Sequence, residues 1–276
     1  MPKSFNVNKY LRMDKMPHIW CPGCGNGMAM SAFLRAVDSL QLDPNKVVVV
    51  SGIGCSSRIS GYIDFNTLHT THGRPLAFAT GVKLANPSLE VIVITGDGDA
   101  TAIGGNHFLH SCRRNINITL IVINNNIYGM TGGQYSPLTL KGDRATTAPY
   151  GNVEPELDMC KVAEAAGATY VARSVTYQPV LMEDLILKAI ENKGFSLVEV
   201  LSQCPIYYGR LNKKGNAVEM LRWQKENTVT MKAASRMAPG ALKGKILTGV
   251  LSSRYRPEYT EEYYEVIEKA QENANK

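Results

Sequence analysis

V-I-V-I-T-G-D-G-D, Val91 to Asp99, is the stretch on which the fold turns. Its first half, Val91–Thr95, carries no charge and is rich in branched residues, the composition of a strand buried on both faces. The second half is a turn. Gly96 and Gly98 let the backbone bend tightly and approach a ligand, and Asp97 and Asp99 stand within that bend. Helical spacing resumes over Gly105–Arg114, so the N–H groups at the start of a helix can meet a phosphate. Asp97 offers a hard carboxylate of the kind Mg²⁺ takes.

Outward from this unit the same alternation repeats. Lys46–Ser51 (KVVVVS) precedes it as a buried strand, and Ile118–Asn124 follows it as a third. Thr169–Ala172 and Leu197–Leu201 (LVEVL) complete the strands. Helical patterns lie between: Met30, Phe33, Leu34, Val37 and Leu40 share one face, and Pro75–Ala85, Asp158–Ala166 and Val180–Asn192 each read as helices. The last of these stops near Gly194. Val/Ile runs between helices predict an α/β fold, a doubly wound and mostly parallel sheet covered on both faces, over residues 27–203. Residues 1–26 form an N-terminal segment with a Cys-x-x-Cys. Residues 204–276 read as a C-terminal extension of mixed helices, with Glu261–Ala270 an exposed one. It is either an arm packed on a partner or a loosely held tail.

The 276 residues suffice for one large domain or two small ones with a real core. With 44% hydrophobic and 20% charged residues the composition is that of an ordinary globular chain, which excludes intrinsic disorder. The longest apolar runs are far short of the ~20 residues that cross a bilayer. The opening MPKSFNVNKYLRMDK lacks the apolar centre of a signal peptide, so a cytoplasmic location is expected. A net charge of +6, spread thinly, makes no nucleic-acid stripe.

In a parallel sheet, ligands bind beyond the carboxyl ends of the strands. Four informative positions fall there: Cys55, Asp97, Asn125 and Cys204 each follow a predicted strand. Asn125 lies in N-N-N-I-Y-G-M, Asn124 to Met130, 28 residues beyond Asp97. That is one strand–helix–strand crossover, which sets an Asp carboxylate beside an Asn amide oxygen. Phosphate and carbonyl oxygens would complete an octahedral Mg²⁺ site. Neither the dinucleotide nor the Walker glycine pattern is present here. In W-C-P-G-C-G-N-G, Trp20 to Gly27, Pro22 and Gly23 hold two thiols toward one metal, and Cys55 and Cys204 are expected at the same edge. Four cysteines suit zinc or a 4Fe–4S cluster, and softness alone does not separate the two.

The Gly-Asp-Gly turn followed by the Asn run is similar to the diphosphate-binding half of thiamine diphosphate enzymes. That resemblance implies Mg²⁺ held by Asp97, Asn125 and the carbonyl of Ile127. Taken together, CPGCG, GIGCSSR, THGR, TGDGD, NNxIYGMTGGQ and a late Cys resemble, in order and over about residues 15 to 210, the β subunit of 2-oxoacid:ferredoxin oxidoreductases. The 2-oxoglutarate branch is the most similar.

The resemblance implies a 4Fe–4S cluster on Cys21, Cys24, Cys55 and Cys204. It implies thiamine diphosphate contacts from Ile53, Gly54, Cys55, Ser56, His72, Gly96, Gly98, Asp99, Gly129 and Met130. Arg58 stands where relatives carry a basic residue near the substrate carboxylate. It further implies oxidative decarboxylation of a 2-oxoacid with coenzyme A, electrons leaving to ferredoxin, and a reaction reversible as CO₂ fixation. Pyruvate or another 2-oxoacid is the alternative substrate. A non-redox thiamine carboligase with structural zinc, or a stand-alone iron–sulfur carrier, is the alternative activity.

The activating Glu of thiamine enzymes sits on a separate pyrimidine-binding domain, for which this chain has no room. An α subunit supplying it is expected, in an αβ heterodimer or its dimer. Two departures stand out. Some relatives carry a Lys two residues after the Tyr-Gly-Met segment, where this chain has Gly132, and a Lys after the Asn pair, where it has Asn126. Among the remaining candidates, Cys112 and Cys160 read as packing residues, and His107 and His110 as packing or surface ones. Tyr128 reads as a pocket or core residue, and Trp20 as a shield for the cluster or a core filler. His69 has no matching metal partner; His72 and Arg74 reach either the cofactor or a subunit contact.

Overall fold

The computed structural model describes residues 5–274. Strands β1 (Val47–Ser51), β2 (Asn66–His69), β3 (Glu90–Gly96), β4 (Thr119–Asn124), β5 (Tyr170–Val175), β6 (Ser196–Leu201), β7 (Thr228–Thr230) and β8 (Ile246–Ser253) form one sheet in the order β2-β1-β3-β4-β6-β5-β8-β7. The helices are α1 (Asn26–Ser39), the single turn α2 (Ile59–Tyr62), α3 (Pro75–Ala85), α4 (Gly105–Arg114), α5 (Met159–Ala166), α6 (Pro179–Glu191), α7 (Ala217–Asn227), the single turn α8 (Met231–Ala234) and α9 (Tyr259–Ala274). From β2 to β5 every neighbouring pair is parallel, and only the β5–β8 pair is antiparallel among the described residues.

The sheet is covered on both sides. In β3, Ile92 and Ile94 join one apolar layer with α1 and α6, while Val91 and Val93 join the other with α3, α4 and α5. Successive strand side chains point to opposite faces, so burial on both faces demands an uninterrupted apolar run. Each fully buried Val or Ile contributes about 1.5–3 kcal/mol relative to exposure. The strand and helix expectations over residues 27–203 are met to within a few residues, Thr169–Ala172 extending to Val175.

The strand order fixes where a ligand fits. From β1 the chain passes to β2 on one side; from β3 it passes to β4 on the other. The two connections diverge and leave a crevice outside the carboxyl ends of β1 and β3, the position at which doubly wound sheets bind ligands. The turns Gly52–Cys55 and Gly96–Asp99 face each other there.

Three findings depart from the expectations. The helix after Asp97 is not regular from its start: a turn of π-helix, Asp99–Ile103, precedes α4, and a second π turn, Pro205–Gly209, follows Cys204. Such turns concentrate at functional sites. The segment 204–276 holds strands as well as helices, β8 pairing with β5 across a bulge between Val171 and Ala172. Its end is also tied down. Asn115 Nδ2 donates to the carbonyls of Arg256 and Pro257, and the buried Glu258 carboxylate accepts from the N–H groups of Asn117, Thr260 and Glu261. That carboxylate sits at the start of α9, where it meets unpaired N–H groups.

Candidate functional site

Asp97 leaves the sheet edge nearly fully buried, at 3% exposure. Burial pushes its carboxyl up to about 7, against the pull of a hydrogen bond from Ser136. Ser136 Oγ lies 2.5 Å from Asp97 Oδ2. The other metal-ligand candidates stand on the neighbouring turn. Asn125 Oδ1 accepts from Ile127 N–H at 3.3 Å, closing a tight loop. Asn126 within it has φ +62°, a left-handed conformation that Asn tolerates. Asn124 sets this loop from below: its Nδ2 donates to the buried Glu199 at 2.8 Å, and its Oδ1 accepts from Asn126 N–H at 3.0 Å. Glu199 is in turn paired with Arg173 at 2.6 Å. A carboxylate, an amide oxygen and a carbonyl on facing turns are the hard donor set that fits Mg²⁺.

Asp99 has a different environment. Its carboxylate accepts from Gly73 N–H at 2.6 Å, Ile53 N–H at 3.3 Å and the Thr95 hydroxyl, and His72 Nδ1 lies 2.5 Å away. It therefore clasps three separate segments around the crevice. A Cβ on Gly52 would meet this carboxylate at 1.9 Å, and one on Gly96 would come 3.0 Å from Ser56 Oγ, so glycine is what lets the two turns close together. Gly98 is equally constrained: a Cβ there would strike the Tyr128 ring at 2.2 Å, and Tyr128 donates to the Gly98 carbonyl at 3.0 Å. Gly54 and Gly129 are half-buried, Ser56 is buried, and Ile53 and Met130 stand exposed at this edge.

Beside these turns lies a cavity of about 70 Å³ lined by Cys21, Cys24, Cys55 and Cys204 together with Trp20, Arg58, Asn125, Gly129 and Met130. All four cysteines are free. A Cβ on Gly129 would lie 3.7 Å from Cys204 Sγ and 3.8 Å from Cys55 Sγ, so backbone without a side chain makes the room between them. Burial pushes the Cys24 thiol up to about 12, and burial followed by the neighbouring sulfurs raises Cys55. Thiols so disfavoured as free thiolates gain a reason to ionise once a metal binds. Among the described residues, no three His, Cys, Asp or Glu side chains close to the spacing of a single bound ion. The four cysteines share the lining of one cavity instead, a soft donor set of the kind zinc or an iron–sulfur cluster takes. Trp20 packs in the core and also reaches the cavity: it lines that space, donates from Nε1 to the Cys55 carbonyl at 2.7 Å and packs edge-on against Tyr62.

Other candidates fall elsewhere. Cys112 and Cys160 are buried away from this cavity, Cys160 donating to Glu199. His69 ends β2 exposed, and His110 is exposed on α4. Arg58 reaches the thiol cavity from an exposed position. A larger cavity, about 1270 Å³, opens between the sheet and the segment beyond Cys204, but its charges are of both signs and Arg173 is already bonded to Glu199 and Asp158. It has no convergent chemistry. Ser136, Thr139 and Arg173 belong to no motif that sequence reasoning singles out, and Asn124 and Glu199 lie in quoted stretches without being given a role there. A charged residue inside LVEVL is the one available signal.

Residues 52–200 match the family model described as thiamine pyrophosphate enzyme, C-terminal TPP binding domain. The match opens at Gly52, the first residue of the crevice. The chain is also 54% identical, over 95% of its length and 97% of the relative's, to the protein of Methanocaldococcus jannaschii named 2-oxoglutarate synthase subunit KorB. It belongs to the 2-oxoacid:ferredoxin oxidoreductase β subunits, within the thiamine enzymes. A β subunit of this name from Saccharolobus solfataricus is 47% identical over 68% of this chain and 62% of its own. Among solved structures, this β subunit superposes with a TM-score of 0.86 and 34% identity on 2-oxoglutarate:ferredoxin oxidoreductase from Magnetococcus marinus. The match covers 98% of this chain and 92% of that one, a structure holding 2-oxoglutarate, coenzyme A and succinyl-CoA.

Proposed function

We propose that this β subunit carries the thiamine diphosphate and electron-exit half of a 2-oxoglutarate:ferredoxin oxidoreductase. The complex converts 2-oxoglutarate and coenzyme A to succinyl-CoA, CO₂ and a proton while passing two electrons to ferredoxin, and runs backwards as CO₂ fixation with sufficiently reduced ferredoxin. One observation carries the reading: the four cysteines and Asn125, the Mg²⁺-ligand candidate, line a single cavity. Hard oxygen donors and soft thiols meet without an intervening layer.

Asp97, Asn125 and the Ile127 carbonyl would hold Mg²⁺, which would neutralise charge on the diphosphate. Thiamine diphosphate, when bound, supplies a thiazolium ring that takes up the electron pair released as CO₂ leaves. A 4Fe–4S cluster on Cys21, Cys24, Cys55 and Cys204 supplies one-electron transfer to ferredoxin. The protein's own part is placement. Ile53, Gly54, Cys55 and Ser56 form one turn, so a residue that holds the cluster adjoins residues that hold the cofactor. Gly96, Gly98, Gly129 and Met130 shape the remaining wall, and Asp99 orients His72 toward it. Trp20 keeps water from the sulfurs. Arg58, at the cavity's mouth, pairs with a substrate carboxylate. The activating Glu comes from an α subunit in an αβ or (αβ)₂ assembly, and the complex works in the cytoplasm, where thiols stay reduced. Among the described residues no helix is long and apolar enough to cross a membrane.

The test is anaerobic. The chain is isolated with its α subunit and assayed for viologen reduction with coenzyme A against a panel of 2-oxoacids. Selective activity on 2-oxoglutarate is the expected result. Preference for pyruvate or a branched acid would move the substrate branch, and no reduction by a complex containing thiamine and iron would overturn the redox reading.

A further inference from the structure

Between the Asn125 turn and the next helix lies Ser136-Pro137-Leu138-Thr139, a segment that none of the motifs includes. Ser136 and Thr139 are almost completely buried, at 1% and 0% exposure. Both hydroxyls are spent on the two metal-ligand turns. Ser136 donates to Asp97 Oδ2 at 2.5 Å, and Thr139 donates to the Asn126 carbonyl at 2.6 Å. Asn126 Nδ2 returns a bond to the Leu138 carbonyl at 3.2 Å. The segment is also braced internally: Ser136 N–H donates to Thr139 Oγ1 at 2.8 Å, and Leu138 N–H donates to Ser136 Oγ at 3.3 Å. Asn152 Nδ2 fixes it from behind through the Thr139 carbonyl at 2.9 Å.

Resting on the Mg²⁺ assignment above, the geometry points to Ser136 and Thr139 as positioning residues that clamp the two ligand-bearing turns at the separation Mg²⁺ requires. Asp97 follows β3 and Asn125 follows β4, so nothing in the sheet ladder itself sets the distance between their side chains. A four-residue strut that bonds to both turns does. Ser136 engages one carboxylate oxygen and fixes the carboxylate plane, leaving Oδ1 for the cation. Thr139 holds the turn in which Asn125 and Ile127 present their oxygens. Mg²⁺ tolerates little departure from octahedral geometry, so loosening the strut weakens the cation before it weakens the fold.

The experiment uses the αβ complex with iron loaded. Mg²⁺ is titrated, and the thiamine diphosphate retained through gel filtration is measured at each concentration. Ser136→Ala is expected to need at least about tenfold more Mg²⁺ for half-retention, the loss corresponding to a hydrogen bond onto a charged group. Thr139→Val, close in shape but without the hydroxyl, shifts the requirement in the same direction. Excess Mg²⁺ restores retention in both, and the iron-to-protein ratio stays that of the unaltered complex. An unchanged Mg²⁺ requirement overturns the clamp, as does a loss of retention that no Mg²⁺ concentration repairs. If Ser136→Ala does not fold, Thr139→Val carries the same test with the same overturning result. Asp97→Ala separates the two levels: if it keeps thiamine diphosphate, the Mg²⁺ assignment itself fails. If it loses the cofactor while Ser136→Ala behaves as unaltered, only the clamp falls.

Discussion

The thiol cavity and the oxygen-lined turns are neighbours that share Cys55 and Asn125, yet they are built by different means. On the oxygen side, side-chain hydrogen bonds do the placing. Asp99 takes three donated bonds with His72 beside it, Asp97 is held by Ser136, and Asn124 is bridged to Glu199. On the thiol side it is the backbone that is placed, by turns and by bonds onto its carbonyls. Cys24 and Cys55 follow turns, Gly129 withholds a side chain, and Gln203 Nε2 ties the Cys204 segment to the Gly23 carbonyl at 2.9 Å. Oxygen ligands on flexible side chains need bracing, whereas a cysteine has one rotatable bond before its sulfur and is aimed by its backbone. Substitutions should therefore act locally on each side and leave the other intact.

The largest effects test that independence. Asp97→Ala is expected to abolish retention of thiamine diphosphate while the iron-to-protein ratio persists; Cys24→Ala, at a cysteine placed on the thiol side alone, should do the reverse for iron. Loss of both groups in either variant would show that the two halves are one unit. Next comes Asp99→Ala, which strands the buried N–H group of Gly73 and the buried Thr95 hydroxyl and removes the acceptor of the part-buried Ile53 N–H. It should lower the denaturation free energy of the cofactor-free chain by roughly 3–5 kcal/mol, measured from the denaturant midpoint. Gly98→Ala drives a methyl into the Tyr128 ring and should cost about 1–3 kcal/mol by the same measurement, with thiamine diphosphate affinity falling alongside. Smallest is Cys112→Ala, a core thiol away from the cavity. A loss near ~1 kcal/mol is expected, with an unchanged iron-to-protein ratio; falling iron would enlarge the set of sulfurs that matter.

Much of this is legible in the order of the residues alone. Val/Ile runs announce the inner parallel strands because burial on two faces leaves no room for polarity, and glycine–aspartate and asparagine turns announce the strand ends. β2 reads Asn66-Thr67-Leu68-His69 and lies at the sheet edge, where one flank meets solvent and the pattern fades. β8 contains Gly249, Ser252 and Ser253 and is only partly buried, so it carries neither clean alternation nor an apolar run. The π turns stay hidden because local periodicity does not separate i+4 from i+5 bonding. Ser136 is invisible for another reason: its partner lies 39 residues away, and a buried serine in Ser-Pro-Leu-Thr looks like any loop until the fold brings Asp97 to it.

The bond from Gln203 to Gly23 spans 180 residues. During synthesis at ~5–20 residues per second, the first two cysteines wait roughly 10–40 s before the fourth leaves the ribosome. The early thiols spend that interval without their partners, at the mercy of any oxidant in the cell. On the proposed iron assignment, loading cannot precede the emergence of Cys204, and the supply of reductant during translation then bears on how many newly made chains become competent.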